Sequence, residues 1–162
     1  MGPARAGALS GETALAREVV VTLSLLAALG VPAIIIFSIS RAGWAEMAET
    51  YPGADTKPAS KTWLGYGSIR GWIGYNGALI VTSDGRGLYL ATWPVLLSWC
   101  HPPVFIPWSE VAEIKTGRRL GMRFHELVTR RTAHLRFALR SGTFALVRDD
   151  ARAAGVRGAD PA

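Results

Sequence analysis

The sequence predicts a mainly β chain: a small antiparallel barrel or sandwich with a short C-terminal helix, preceded by one N-terminal transmembrane helix. Three observations carry that prediction. Residues Val19 to Ser40 form a run without a single charge. Beyond residue 60, short extended segments alternate with Gly, Pro, Asn and Asp turn signals, the spacing of an all-β domain. Charged residues make up only 19% of the 162 residues against 49% hydrophobic, and the mean hydropathy is +0.21. That composition excludes a largely disordered chain. The net charge of +6 favours anionic partners. One cysteine excludes an intramolecular disulfide and any multi-cysteine zinc site.

Residues 1–18 read as an N-terminal tail and 19–40 as the transmembrane helix. At about 1.5 Å per residue the uncharged run spans roughly 33 Å, enough for a bilayer core. It is apolar on every face, where a surface helix would show one stripe. Gly30 and Pro32 are tolerated in such helices. Ser38 and Ser40 offer a signal-peptide cleavage spacing, but the run exceeds the ~7–15 residues of a signal core, which favours an uncleaved anchor. Pro3 and Ala6 disfavour N-myristoylation. Flanking charges nearly balance: Arg5, Arg17 and the terminal amine before the run, Arg41, Lys57 and Lys61 after it. The single Cys100 and the later arginines favour a cytoplasmic domain.

Residues 41–60 read as a juxtamembrane helix and linker. Trp44, Met47, Ala48 and Tyr51 recur at helical spacing, with Trp44 suited to the headgroup region. Pro52 ends the helix, and Pro52 to Ser60 is rich in turn formers. Residues 61–155 read as the β domain. Its expected strands are Thr62–Ile69, Trp72–Tyr75, Ala78–Thr82, Gly87–Ala91, Leu120–Leu127 and Thr132–Arg140, with shorter extended pieces over Ile106–Val111 and Ala112–Thr116. Asn76-Gly77 is a two-residue hairpin signal, Gly71 and Ser83-Asp84-Gly85 mark further turns, and Arg148–Gly155 is helical. Residues 156–162 are expected to be disordered.

A second uncharged stretch, Gly87 to Ser109, contains Pro94, Pro102, Pro103 and Pro107, too many prolines for a second spanning helix. It reads as a core strand followed by a proline-rich loop. The sharper reading has Trp93, Leu96, Leu97 and Trp99 dip into the membrane interface, where an indole finds apolar and polar partners together.

Two alternating segments, Leu120–Leu127 and Thr132–Arg140, suggest a hairpin closed by Val128–Arg131. That register sets Phe124 against Leu135 and Met122 against Phe137 on the buried side. It sets His125 against His134 and Arg123 against Arg136 on the other. Arg118, Arg119, Arg130, Arg131 and Arg140 lie near the ends. Arg118, Arg119, Arg123, Arg136 and Arg140 are therefore the candidate anionic-ligand residues. The bland alternative pairs the arginines with Glu110, Glu113, Asp149 and Asp150 on a solvated face. Nucleic acid is disfavoured, because Phe124 and Phe137 alternate with the arginines and face away from them.

Catalytic chemistry finds little support. His101, His125 and His134 lack a third ligand at metal spacing, and all three read as surface histidines. Cys100-His101 are adjacent, which does not make a nucleophile–base pair. No cofactor, metal or small-molecule substrate is expected.

The segments Ser83-Asp84-Gly85-Arg86-Gly87-Leu88-Tyr89-Leu90 and Phe105-Ile106-Pro107-Trp108-Ser109-Glu110-Val111 resemble a pattern of bacterial PH-like and GRAM-like domains. Membrane-anchored bacterial proteins with such a domain look similar over roughly residues 40 to 150. The resemblance implies a PH-like barrel in the inner (plasma) membrane of a bacterium, with a binding or scaffolding role and no catalytic residues. The expected function is docking to anionic lipid headgroups or a protein partner at the membrane surface. The alternative is a structural subunit that homo-oligomerises within a membrane complex.

Overall fold

The computed structural model describes residues 4–53, 65–93 and 100–160, with side chains from residue 17. The chain divides into two units, Met1–Ser38 and Ile39–Ala162. The first is the body of helix α1 (Ala4–Ile39), which runs through Pro32 without a break. This helix is long and apolar enough to cross a membrane, and none of its most apolar stretch is buried against protein.

The second unit is built on a seven-stranded antiparallel sheet curled into a half-barrel. Its strands are β1 (Gly65–Ile69), β2 (Ile73–Asp84), β3 (Gly87–Thr92), β4 (Val104–Pro107), β5 (Val111–Arg119), β6 (Met122–Thr129) and β7 (Phe137–Arg140). Their order is β4-β3-β2-β1-β7-β6-β5. Two short helices follow, α3 (Ser141–Phe144) and α4 (Arg148–Ala153). Inward-facing Ile69, Leu79, Leu88, Leu90, Ile106, Leu127 and Leu139 fill the core, as period-two alternation requires.

A π-turn (Ser40–Trp44) and helix α2 (Ala45–Thr50) open this unit. The predicted apolar stripe is real, but it meets the sheet. Trp44 is 0% exposed, and Met47, Ala48 and Tyr51 are buried with it in the same core. Trp44 therefore has no place at a headgroup layer; its Nε1 donates to the Pro102 carbonyl at 2.8 Å. Gly43 permits the close approach, since a Cβ there would lie 2.7 Å from Ile69 Cγ2. The chain then lies along β4: Phe105 N–H donates to the Tyr51 carbonyl, and Gly53 N–H to that of Pro103, both at 3.0 Å. The predicted juxtamembrane helix is thus part of the β domain's core, and the domain begins at residue 39 rather than 61. The remainder of the predicted linker, residues 54–60, lies outside the described residues.

Four further expectations are corrected. Asn76-Gly77 makes no hairpin. β2 runs straight through it, and Gly77 (φ +68°) sits where the β1–β2 register shifts, so the pair forms a bulge. The β6–β7 register is Leu127↔Phe137, His125↔Leu139 and Phe124↔Arg140, not the one read from alternation. Residues Thr132–Arg136 are not a strand: Ala133–Leu135 form a 3-10 turn, Arg136 is left-handed, and Leu135 turns into the core. Residues 156–160 are ordered. Val156 and Ala159 are buried in the core, and Ile114 N–H donates to the Arg157 carbonyl at 2.8 Å. Phe144–Val147 lies in α3 and the turn after it.

Candidate anion-binding groove

The register distributes the candidate arginines over two faces of the sheet. Arg118 stands directly opposite Arg123. Both lie on the face that carries Ile114 and Leu127, at its exposed end, because side chains two and four residues apart share a face. No carboxylate pairs with either among the described residues. Arg119 and Arg136 meet on the opposite face, around Glu126. Arg136 is bidentate on this carboxylate, with Nε at 3.2 Å and Nη2 at 3.1 Å. Arg119 Nη2 lies 3.7 Å from the same group, and its Nη1 donates to the Gly71 carbonyl at 2.9 Å. Arg140 stands apart, its guanidinium 5.4 Å from the centre of the Tyr66 ring.

A groove of about 240 Å³ runs over this second face. Gly117, Phe124 and Ala138 line it together with Lys115, Arg118, Arg119, Arg136 and Glu126. Arg119 and Arg136 thus hold one carboxylate, with Lys115 opposite it in the register, while the Arg118 side chain belongs to the other face. Glu126 is the partner that sequence reasoning missed. Alternation places it on the Phe124 side of the strand, away from Arg123, so a register that sets Arg136 beside Arg123 hides it. Of the carboxylates expected to neutralise the arginines, Glu113 holds Lys115 at 3.0 Å, Glu110 takes the Tyr51 hydroxyl at 3.2 Å, and Asp149 holds Arg148 at 3.2 Å.

The histidines do not come together. His125 faces Leu139, while His134 Nε2 lies 2.6 Å from Glu46. His101 is not a surface residue: it is 1% exposed and packed against the rings of Trp44 and Tyr75. Its Nδ1 lies 3.3 Å from Cys100 Sγ. Burial pushes the Cys100 thiol up from its ordinary value, which disfavours the thiolate a nucleophile needs. Burial, then the nearby Cys100, likewise pushes the Tyr75 hydroxyl far up. Among the described residues no three His, Cys, Asp or Glu side chains cluster to hold a metal ion.

The two segments behind the PH-like resemblance touch each other. Trp108 Nε1 donates to the Asp84 carbonyl at 2.8 Å, and Trp108 N–H to that of Arg86 at 3.1 Å. Asp84 also accepts from Arg86 and Tyr89. This network fixes the β2–β3 turn, a structural role. Of the candidate membrane-interface residues, Trp93 is 54% exposed after β3. Leu96, Leu97 and Trp99 lie outside the described residues. The stretch Gly87 to Ser109 cannot be one spanning helix, since β3 and β4 are strands of the sheet.

No family model matches the chain, and no curated protein shows significant similarity to it.

Proposed function

We propose that this chain is a membrane-anchored, non-enzymatic binding domain whose groove takes the phosphate of an anionic lipid headgroup. The observation that carries this reading is the groove beside Glu126, where Lys115, Arg119 and Arg136 line one cleft with one carboxylate among them. Glu126 fixes the Arg136 fork and draws Arg119 alongside it. It leaves the groove with a net positive charge and donors of the geometry phosphate accepts. In this reading the apolar helix anchors the chain once in a bacterial plasma membrane. The β domain works on the cytoplasmic side, where anionic lipid attracts basic side chains.

The test uses the full chain in nanodiscs of neutral lipid, titrated with short-chain phosphatidylglycerol and followed by amide chemical shifts. Shifts should concentrate at Lys115–Arg119 and Arg136 and fade as salt rises. Each basic residue contributes about 1 kcal/mol near an anionic surface, so Arg119→Glu with Arg136→Glu should weaken binding at least roughly thirtyfold. Arg148→Glu, outside the groove, should leave binding unchanged. Binding indifferent to both salt and the double exchange would overturn the proposal.

A further inference from the structure

The sheet has two ends, and among the described residues they are covered unequally. β4 carries the Tyr51–Gly53 segment along its outer side. β5, at the other end, is covered at one point. There, Ile114 N–H donates to the Arg157 carbonyl, and Gly158 packs over the Ile114 carbonyl. In an antiparallel strand, the N–H and C=O of one residue point the same way, and that direction repeats every second residue. The register from Glu113 to Arg119 has no bulge. The outward bond at Ile114 therefore puts the backbone groups of Thr116 and Arg118 on the same open edge. Among the described residues, nothing hydrogen-bonds them from outside.

We propose that Thr116–Arg118 is a docking edge for an extended acidic segment of a partner protein, which joins the sheet as an additional strand beside β5. Two features fit that occupant. Gly117 sits in the middle of the edge with open space where a Cβ would be, so a second backbone can approach closely. Beyond Glu113, which is paired with Lys115, the charged side chains that flank such a strand are basic. Lys115, Arg118 and Arg119 lie on β5 itself, and Arg123 stands across from Arg118. Basic residues commonly guard sheet edges against unwanted pairing. Here they select by charge. A second copy of this edge would set Lys and Arg against Lys and Arg, which is repulsive, whereas glutamates or aspartates relieve the Arg118–Arg123 opposition. Backbone bonds to Thr116 and Arg118 supply affinity, and the flanking cations supply specificity.

The test again uses the full chain in nanodiscs of neutral lipid, so that no anionic headgroup competes. The probe is the labelled peptide Thr-Glu-Val-Asp-Val-Glu-Thr, capped at both ends. It should bind, and hydrogen exchange should slow at the Thr116 and Arg118 amides. N-methylation of the peptide's alternate amides keeps every charge but blocks the ladder, and should weaken binding at least about tenfold. On the protein, Thr116→Pro removes an outward donor without touching the β5–β6 bonds, and should weaken binding similarly. Thr116→Val keeps the amide and should bind as the parent does. If Thr116→Pro fails to fold, the methylated peptide decides. Three results would overturn the proposal: no binding, equal binding of the methylated peptide or of a lysine-for-acid version, or self-association that protects both amides without peptide. Loss of phosphatidylglycerol binding with peptide binding intact would count against the headgroup reading alone.

Discussion

His125 shows how much one side chain's protons constrain. Its Nδ1 lies 3.2 Å from Thr116 Oγ1 and its Nε2 3.1 Å from Ser141 Oγ, while Ser141 Oγ donates to the Arg123 carbonyl. Ser141 has one hydroxyl proton and spends it on that carbonyl, so it must accept from Nε2–H. Nδ1 is then the acceptor for Thr116. The neutral ring satisfies every group, and a second ring proton would require the Thr116 hydroxyl to turn from donor to acceptor. Burial, with Arg123 adding repulsion, holds the His125 pKa below its ordinary value, and Phe144 stacks on the ring at 4.2 Å. A histidine whose folded pKa is depressed contributes stability that is present above the unfolded value, near 6.5, and lost as pH falls through the folded one. Melting temperature should therefore fall on acidification below about pH 6.5, and His125→Gln should flatten that slope. Thermal melts across pH check this. Leu120 is a second case. It is 96% exposed and left-handed (φ +48°), followed by Gly121 at +76°. Alternation placed it on the buried side, because period two says nothing about where a strand turns. This two-residue turn favours Asn-Gly. Leu120→Asn should stabilise the domain by about 0.5–1 kcal/mol, read from urea unfolding midpoints, since a left-handed leucine costs of that order.

At the scale of elements, legibility followed the locality of the cause. The α2 stripe Trp44, Met47, Ala48 and Tyr51 was visible, since helical periodicity is written in neighbouring residues. Its partner was not, because the face it packs on belongs to strands far away in sequence. The turns at Gly71 and Asp84 were legible for the same local reason. The β6–β7 pairing was misread where apolar alternation continued through Thr132–Leu135 although the backbone does not. Thr129 and Thr132 join their hydroxyls at 2.7 Å across a local turn, and Arg70 N–H takes the Leu135 carbonyl, a tertiary contact. The error moved directly into the site. It paired Arg123 with Arg136, hid Glu126, and made one basic stripe of what are two groups on opposite faces. The polar, glycine-containing C-terminal segment was misread in turn, because two small apolar residues carry its docking. Removing residues 156–162 strips Val156 and Ala159 from the core and exposes the Ile114 edge. That deletion should cost roughly 2–3 kcal/mol, most of it the buried valine. Denaturant unfolding of the truncated and full chains measures it, and an unchanged midpoint would show that the segment contributes no stability.

The whole molecule separates its two chemistries along the chain. From Arg41 onward there are 16 Lys+Arg and 10 Asp+Glu, while Val19 to Ser40 holds none of either. One unit buries its apolar side chains in a shared core. The other exposes them: Leu26, Leu29 and Ile34 lie on the surface of α1. A helix that leaves such residues uncovered is costly in water at about 25 cal/mol per Å², and the cost disappears in hydrocarbon. Bilayer insertion, as proposed above, would remove that cost. The prediction is specific to the run. The full chain should stay with membranes through alkaline carbonate washing. Leu26→Arg places a charge near the middle of the uncharged stretch, at about 2.5–3.5 kcal/mol on insertion scales, and should shift a measurable fraction into the carbonate supernatant. The same exchange at Leu120, already in water, should leave partitioning unchanged. If both variants partition alike, the uncharged run is not what holds the chain in the membrane, and attachment would have to come from the β domain's own surface.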